Sequence, residues 1–325
     1  MKQSVRQALF VRFTSKHHQG FIGAASSGLS EGVVGNTFNA FVRNELFPKF
    51  VDKYQLKYGN QVDDNASPLF ILNVESGDDV KMTPLLSIVP MFDLQKIQNG
   101  IIEKSKLNKP LSIDFMNENS NNLANRGISK SSALFKACSV KNRKAEQVTV
   151  LDATTGLGKD TNILSQLGFN LISCERHPLM SLMLRSSISR AKEEGYCKNI
   201  LHLFTETDSR LLTSESFKET ALPDVIYIDP MFTHTGTALP KYDLQVLRQI
   251  MTLIDFEEIH NPDFTVIDSA NYEKSMVEWA LNLHPGIKRV VLKRPKKSPT
   301  IMEDKIVHSY SDGPKGDIRY DLYIS

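Results

Sequence analysis

From residue 147 to the C-terminus, hydrophobic residues fall into short runs that alternate with longer amphipathic stretches. The runs QVTVLDA, NLISCER, ILHLFTETD and PDVIYIDP are rich in β-branched and aromatic residues, as buried strands are. Between them lie segments such as TNILSQLG and HPLMSLMLRSSISRAKEEG, whose apolar residues recur at helical spacing. Strands separated by helices predict a doubly wound, mostly parallel α/β sheet.

Three further segments complete a predicted seven-stranded sheet. PDFTVIDSA precedes a predicted helix around NYEKSMVEWALNLH, and the strands IKRVVLKRP and DIRYDLYIS follow near the end. No obvious long helix joins the last two strands, whereas a parallel pair needs a crossover of a dozen or more residues. The pattern therefore predicts an antiparallel hairpin at one edge of the sheet.

The N-terminal half has a different pattern and predicts a smaller α+β lobe. PLFILNVESG (68–77) and PLSIDFM (110–116) have the composition of strands, with polar turn segments between them. SKSSALFKACSVKNRK (129–144) predicts a helix with basic residues on its outer side. We divide the chain into a basic leader (1–30), a small α+β lobe (31–116), a basic linker and helix (117–146) and an α/β domain (147–325).

The first thirty residues form a basic segment without acids. They hold Lys2, Arg6, Arg12 and Lys16, several serines and no acid before Glu31. As an amphipathic helix, such a segment is typical of an organellar transit peptide, and a basic terminus or a surface helix is the other interpretation. We expect a mitochondrial matrix location if residues 1–30 are a transit peptide, and a cytoplasmic location if the protein is of bacterial type.

Composition narrows the function class only modestly. Lys and Arg number 39 against 37 acids, so the net charge of +2 does not indicate a polyanion partner. No apolar run approaches the ~18 residues of a membrane span, so we expect no membrane association. Cys138, Cys174 and Cys197 are widely spaced and form no CxxC pair, which favours reduced thiols over a zinc or other metal site.

The loop after the first strand of the α/β domain has features of a nucleotide-binding turn. In LDATTGLGKDT, Gly156 and Gly158 allow a tight turn and close approach of a ligand to the N-terminal amides of the next helix. A dinucleotide fingerprint needs a third glycine, and Thr161 stands in its place. Asp152 and Asp160 suit the amino group of a methionine moiety better than a pyrophosphate. The loop therefore favours S-adenosyl-L-methionine over NAD, with a plain strand-to-helix turn as the alternative.

The second and third strands of this domain also end in polar residues. Glu175 follows Gly158 by 17 residues, where a carboxylate commonly accepts both ribose hydroxyls. Arg176 is either packed with its stem against an adenine or solvated at the surface. Thr207 and Asp208 fall where the amino group of an adenine needs an acceptor, although this pair alone is a weak signal.

The fourth strand ends in VIYIDPMF, where class I methyltransferases that act on exocyclic amines carry [DNS]-P-P-[YFW]. A nucleobase amine is conjugated with its ring, so its lone pair must be oriented toward the methyl donor. Asp229 and a carbonyl of the rigid turn at Pro230 can accept the amine's N–H bonds. Phe232 can stack on the extruded base. The other interpretation is that Asp-Pro only ends the strand and Phe232 packs in the core.

DATTGLGKD, CERHP, DVIYIDPMF, RVVLKRP and RYDLYI, in this order, resemble the small-subunit ribosomal RNA guanine-N2 methyltransferase J family. The resemblance runs from about residue 48 to the C-terminus and is strongest over 147–325. It implies a Rossmann-like class I methyltransferase fold, S-adenosyl-L-methionine as methyl donor and one guanine of small-subunit rRNA as acceptor. The cofactor contacts that it implies are Lys159, Asp160, Glu175, Arg176, Thr207, Asp208 and Asp229. Thr155 and Lys159 depart from the family, which more often has Ala and Arg there.

Basic residues cluster in the segments 120–147 and 288–297, which predict contacts with an RNA backbone. A solvated basic face is the alternative. The candidate RNA-binding residues are Arg126, Lys130, Lys293, Arg294, Lys296 and Lys297. The predicted partner is small-subunit rRNA or the small ribosomal subunit. A methyltransferase of another amine in RNA, DNA or protein, a nicotinamide-dependent oxidoreductase and a non-catalytic RNA-binding ribosome assembly factor are the alternatives.

Overall fold

The structure is a computed structural model of the 325-residue chain. It describes residues 9–15, 57–58, 70–76, 85–90, 111–116, 128–230, 246–247, 269–313 and 316–324. For the first four of these ranges and for residues 269–270, the description is of the backbone. The chain divides into two compact units, of which one contains a five-stranded sheet and the other a seven-stranded sheet.

The five-stranded sheet has the order β2-β1-β3-β4-β5. Its strands are β1 (Leu9–Ser15), β2 (Lys57–Tyr58), β3 (Phe70–Ser76), β4 (Leu85–Pro90) and β5 (Leu111–Ser112). β1 pairs in parallel with β2 and β3, whereas β4 is antiparallel to β3 and β5. The strand predicted over 68–77 is thus confirmed as β3.

The interpretation of the basic leader as a helix is wrong for Leu9–Ser15, which forms β1. The segment LFVRFTS combines two phenylalanines, a valine and a threonine, residues that favour strands over helices. β1 pairs with β3 along all seven of its residues, from Leu9 opposite Phe70 to Ser15 opposite Ser76. This part of the predicted leader therefore belongs to the sheet of the first unit.

The seven-stranded sheet has the order β11-β12-β10-β9-β6-β7-β8. Its strands are β6 (Thr149–Asp152), β7 (Asn170–Glu175), β8 (Ile200–Thr205), β9 (Val225–Ile228), β10 (Arg289–Pro295), β11 (Ile306–Ser311) and β12 (Ile318–Tyr323). The strands β6 to β10 are parallel to one another, whereas β12 is antiparallel to both β10 and β11. The predicted mostly parallel sheet with an antiparallel C-terminal hairpin is confirmed.

Helices flank the strands of the described chain as the alternating pattern predicts. They are α1 (Ala133–Cys138), α2 (Lys159–Gln166), α3 (Pro178–Glu193) and α4 (Ser269–Asn282). β6 and β9, in the middle of the sheet, are buried at all four positions, as expected for strands covered on both faces. One buried cluster joins them to α4 through Leu151, Ile226, Met276 and Val277.

Two predicted elements differ from the structure. The helix predicted over 129–144 is limited to α1, because Ser139 is extended, its hydroxyl donates to Phe135 O at 2.7 Å, and Asn142 has a left-handed φ of 62°. The seventh strand of the described sheet is β11, which the hydrophobic pattern did not predict. Its residues are mostly exposed, so it lacks the apolar run of a buried strand. The segment PDFTVIDSA lies outside the described residues except for its last two residues, which are the first two residues of α4.

The topology places the ends of β6 and β9 at the switch point of the sheet. From β6, the chain adds β7 and β8 on one side and then returns to add β9 and β10 on the other. In such sheets, ligands bind beyond the carboxyl ends of the strands, where the strand order reverses. Asp152 ends β6 and Asp229 directly follows β9, so two of the predicted site residues meet at this point.

Candidate functional site

The glycine loop between β6 and α2 is held in a conformation that only glycine adopts easily. Gly156 has a φ of +54°, and Gly158, with a φ of +67°, is the N-cap of α2. Thr155 fastens the loop to the neighbouring strand. Its hydroxyl donates to Asp152 O at 3.2 Å and accepts from Cys174 N at 3.1 Å. The threonine that departs from the family pattern is therefore part of the loop's hydrogen bonding.

Glu175, at the end of β7, closes this loop with both carboxylate oxygens. Oε2 accepts from Gly156 N and Oε1 accepts from His177 N, each at 2.7 Å. Burial raises the pKa of Glu175 despite these two bonds and the nearby Arg176. A carboxylate has about four lone-pair sites, so Glu175 retains acceptor capacity beyond its backbone hydrogen bonds. This geometry fits the predicted ribose contact.

The end of β8 differs from the prediction. The Asp208 carboxylate is engaged in two bonds with Arg210, from Nε to Oδ1 at 3.0 Å and from Nη2 to Oδ2 at 2.7 Å. Burial alone would raise the pKa of Asp208, but Arg210 lowers it. Asp208 also accepts from Arg210 N and caps a short 3₁₀ turn. Thr207 N donates to Glu175 O at 3.2 Å. An ion-paired Asp208 is a poorer acceptor for an adenine amino group than we expected.

Tyr272, on the first turns of α4, is a site residue that the sequence did not indicate. The guanidinium carbons of Arg176 and Arg210 lie 5.5 and 4.9 Å from the centre of its ring. At these distances both cations are attracted to the ring. Burial raises the pKa of Tyr272, and Glu175 and Asp208 act in the same direction. Arg176 therefore packs against this tyrosine, and no spacing in the sequence connected residue 176 with residue 272.

A second cluster surrounds Asp229. Asp229 N donates to the Thr154 hydroxyl at 2.7 Å, which ties the residue to the glycine loop. Lys293 Nζ lies 2.8 Å from Asp229 Oδ2 and 2.7 Å from Asp160 Oδ2. The Tyr227 hydroxyl donates to the same oxygen of Asp160 at 2.5 Å. Residues of α2, β9 and β10 thus meet at one lysine.

The charges of this cluster act on one another. Burial raises the pKa of Asp229 to about 6, with Lys293 opposing and Asp160 reinforcing the shift. For Asp160, burial also acts upward, but Lys293 and the Tyr227 hydroxyl together lower the pKa. Burial would lower the pKa of Lys293, yet the two carboxylates raise it well above its ordinary value. Lys293 is therefore a cation, and of the two carboxyls that contact it, Asp229 takes up a proton before Asp160 as pH falls.

Asp152 is buried and hydrogen-bonded at the base of the loop. The Thr161 hydroxyl donates to its Oδ2 at 2.5 Å, and Thr154 N donates to its Oδ1 at 3.2 Å. Burial raises the pKa of Asp152 to about 7, because these bonds only partly offset desolvation. Thr161, fully buried, fills the place of the third glycine of a dinucleotide fingerprint. The residue that weakened the pyrophosphate interpretation thus has a structural role.

The predicted RNA-binding residues separate into three groups. Lys130, Lys296 and Lys297 are exposed, although Lys296 Nζ also lies 3.0 Å from Gly313 O. Arg294 is a correction, since its side chain is 8% exposed and forms an ion pair with the equally buried Glu273 at 3.0 Å. The ammonium of Lys293 contacts Asp160 and Asp229, so its predicted contact with RNA stays a prediction. Arg126 lies outside the described residues.

Of the remaining predicted residues, Lys159 is exposed on the first turn of α2, and Pro230 is buried directly after Asp229. Phe232 lies outside the described residues, so its predicted stacking role stays a prediction. Within the part of the chain that the structure describes, no helix has the length and apolarity to cross a membrane. No His, Cys, Asp and Glu side chains of these residues form a group of three or more that could hold a metal.

Comparison with protein families gives a match over residues 87–260, a little over half of the chain. The family model is described as "Putative SAM-dependent methyltransferase". Among solved structures, the SAM-dependent methyltransferase from Neisseria gonorrhoeae is similar with a TM-score of 0.54. It is 18% identical, and the alignment covers 98% of this chain and 95% of that one. At this identity the likeness supports the fold.

Curated relatives carry a more specific name. The chain is 31% identical over 220 residues to ribosomal RNA small subunit methyltransferase J of Buchnera aphidicola subsp. Acyrthosiphon pisum (strain APS), covering 66% of this chain and 78% of the relative. It is 28% identical over 286 residues to the enzyme of the same name from Buchnera aphidicola subsp. Schizaphis graminum (strain Sg), covering 86% and 94%. It is also 31% identical to the Legionella pneumophila (strain Corby) protein of that name, in an alignment that covers 61% of this chain and 70% of the relative.

Proposed function

We propose, from the premise that this chain belongs to the SAM-dependent methyltransferase family, that it methylates the exocyclic N2 of a guanine in small-subunit ribosomal RNA. The curated relatives are named as small-subunit ribosomal RNA methyltransferases. The guanine N2 is the acceptor that the resemblance of DATTGLGKD, CERHP and DVIYIDPMF implies. Because the chain belongs to this family, its cofactor is S-adenosyl-L-methionine and not a nicotinamide.

The position of Asp229 is the observation that carries this proposal. The residue follows β9 at the switch point, and its backbone N–H is bonded to Thr154 of the glycine loop at 2.7 Å. The same loop donates from Gly156 to Glu175, the candidate ribose acceptor, at 2.7 Å. One loop is therefore hydrogen-bonded to both of the residues that we propose as acceptors, Asp229 for the amine and Glu175 for the nucleoside. Methyl transfer requires this arrangement, because both reactants must be oriented in one site.

The residues of the chain would divide the work between binding and orientation. S-adenosyl-L-methionine supplies a methyl group on a positively charged sulfur. Glu175 and the glycine loop would hold the nucleoside part, and Asp229 would accept an N–H of the guanine amine so that the nitrogen lone pair faces the methyl carbon. The cofactor would supply the methyl carbon to this nitrogen while sulfur keeps the electron pair of the C–S bond, and the Asp229 carboxylate would accept the proton that the methylated nitrogen loses.

The surface lysines Lys130, Lys296 and Lys297 would contribute phosphate contacts, which position an RNA without reading its sequence. Arg126 and Phe232 stay candidates for RNA and base contacts. A cytoplasmic location is the one that the bacterial relatives favour. The mitochondrial alternative, which depended on residues 1–30, has no support from these relatives.

The test is methyl transfer from radiolabelled S-adenosyl-L-methionine to small-subunit rRNA, followed by mass mapping of the methylated nucleotide. We expect one N2-methylguanine. Asp229→Asn should lower the rate roughly 10- to 150-fold, because it replaces the charged acceptor of a hydrogen bond worth about 1.5–3 kcal/mol by a neutral one. RNA affinity should stay within a factor of about 3, since phosphate contacts dominate binding.

Asp304→Asn is the matched control, because Asp304 is an exposed aspartate on a short turn before β11. This variant should keep wild-type activity. Methylation at another base, or of DNA or protein alone, would refute the guanine assignment. RNA binding without methylation of any substrate would favour the assembly-factor alternative. A fully active Asp229→Asn protein would remove the orienting role.

A further inference from the structure

The ammonium of Lys293 lies between two carboxylates of the second unit. Nζ is 2.7 Å from Asp160 Oδ2 and 2.8 Å from Asp229 Oδ2. The three side chains differ in exposure: Lys293 and Asp160 are each 16% exposed, whereas Asp229 is 30% exposed. Lys293 and Asp160 thus form the inner part of the triad, and Asp229 is its outer member.

Further contacts fix the inner part of the triad. Asp160 lies in the first turn of α2. Its Oδ2 also accepts a hydrogen bond from the hydroxyl of the fully buried Tyr227 at 2.5 Å. Lys293 is held on β10, which pairs in parallel with β9 so that Leu292 is opposite Ile228. The next residues along the two strands are Lys293 and Asp229. The lysine therefore reaches Asp229 from the adjacent strand, on the same face of the sheet.

A triad of this kind needs a reason other than stability. Burying charges carries a desolvation penalty of several kcal/mol per ion, and a buried ion pair is weak evidence of net stabilisation. Here one cation serves two carboxylates, so the cluster retains a negative charge. Such a cluster would be unfavourable for packing alone, but it fixes the side-chain position and the charge of the carboxylate that is exposed to a ligand.

We propose that Lys293 is a positioning residue that holds the Asp229 side chain at the end of β9 and keeps it in the carboxylate form needed to accept an N–H of the substrate amine. The inference deepens the proposed function and rests on it. Lys293 would not touch the RNA, in contrast to the role that its place in the basic segment 288–297 suggested. The charge of Asp160 opposes the effect of Lys293, because it disfavours the ionised form of the neighbouring Asp229 carboxyl.

The charge of Asp229 is set by groups from several elements. Tyr227 lies on its own strand, and Lys293 lies on the neighbouring one. Among the residues that the structure describes, the titratable groups that face this cluster include Asp152 on β6, Asp160 on α2, Tyr227 on β9, Lys293 on β10 and Tyr320 on β12. Only Lys293 among them is a cation, so its loss would leave three acids near one another.

The first arm of the test measures the Asp229 carboxyl directly, without any substrate. Protein labelled with ¹³C at the aspartate carboxyl carbons is titrated by NMR, and Asp229→Asn identifies the resonance. Lys293→Met should raise the titration midpoint of Asp229 by at least about one pH unit, because the attractive charge is lost. Asp160→Asn should lower it, because the repelling charge is lost. Lys274→Met, at an exposed lysine of α4, is the matched control and should leave it unchanged.

The second arm measures single-turnover methyl transfer against pH, with cofactor and small-subunit RNA saturating. The acidic limb should follow the NMR midpoint, moving to higher pH in Lys293→Met and to lower pH in Asp160→Asn. Lys293→Arg should restore most of the wild-type profile, since it returns the charge. A general folding defect would lower the rate at every pH and would not displace the two limbs in opposite directions.

The outcomes separate the two proposals. Unchanged Asp229 midpoints in Lys293→Met and Asp160→Asn would overturn the role of Lys293, whatever the activity of the wild type. If the midpoints move but the pH–rate profiles do not follow, the charge of Asp229 is irrelevant to the reaction, and the positioning role is also overturned. If wild-type protein methylates no guanine of the RNA, the proposed function fails independently of the NMR result.

Discussion

Replacement of Arg294 by methionine tests whether this residue stabilises the fold or binds RNA. The guanidinium lies 3.0 Å from Glu273 of α4, and the two side chains are only 8% and 5% exposed. Removal of one partner leaves a buried carboxylate without its counter-charge, which costs about 3–5 kcal/mol. At roughly 2–4 °C per kcal/mol for a domain of 150–250 residues, we expect a fall in Tm of roughly 6–20 °C.

The assay is thermal unfolding followed by circular dichroism, together with RNA affinity at a temperature where the variant is folded. The double variant Glu273→Leu/Arg294→Met should recover most of the lost Tm, because it removes both buried charges. Lys297→Met, at an exposed lysine three residues along the chain, should leave Tm unchanged and weaken RNA binding. A wild-type Tm with reduced RNA affinity in Arg294→Met would refute the assignment of Arg294 to the core.

Three further predictions concern the loop and the surface. Glu175→Gln can keep only one of the two 2.7 Å bonds that Gly156 N and His177 N donate to the carboxylate. Calorimetry should therefore show at least a tenfold loss of S-adenosylhomocysteine affinity. An unchanged affinity would exclude the ribose role of Glu175. The pKa of Asp152 is raised from 3.8 to about 7 in the folded state. Between these two pH values the folded state keeps a proton that the unfolded chain releases. The contribution of Asp152 to the free energy of unfolding therefore falls as pH rises from about 4 to 7. Asp152→Asn should therefore raise Tm relative to wild type more at pH 8 than at pH 5; an equal change at both would contradict the buried-acid explanation. For Lys297→Met, the slope of log affinity against log salt should fall by about 1, and an unchanged slope would mean that this lysine contacts no phosphate.

The sequence was sufficient to predict the central sheet because β6, β7 and β9 are apolar runs that are buried on both faces. It was also sufficient to place the glycine loop and Glu175 at the ends of strands, since a turn and an acid at fixed strand ends follow from the topology, whereas their cofactor contacts stay predictions. The sequence interpretation failed for elements whose structure depends on strand pairing or whose residues are mostly exposed to solvent. β11 has few buried residues, and β1 was assigned to a helix because its charge pattern outweighed its strand-forming residues in our interpretation. The contacts of Tyr272 with Arg176 and Arg210 join segments that are far apart in the sequence, which spacing does not show.

The basic segment KRVVLKRPKK shows how strand periodicity could have improved the prediction. Successive side chains of a strand lie on opposite faces, so Lys293 and Arg294 of β10 could not both line one RNA surface. One contacts Asp160 and Asp229 on the face toward α2, and the other contacts Glu273 of α4. The exposed lysines of the segment flank β10: Lys288 comes before the strand, and Lys296 and Lys297 follow its end at Pro295. A basic run that begins within a predicted strand should therefore be divided at the end of that strand before any of its residues are assigned to RNA.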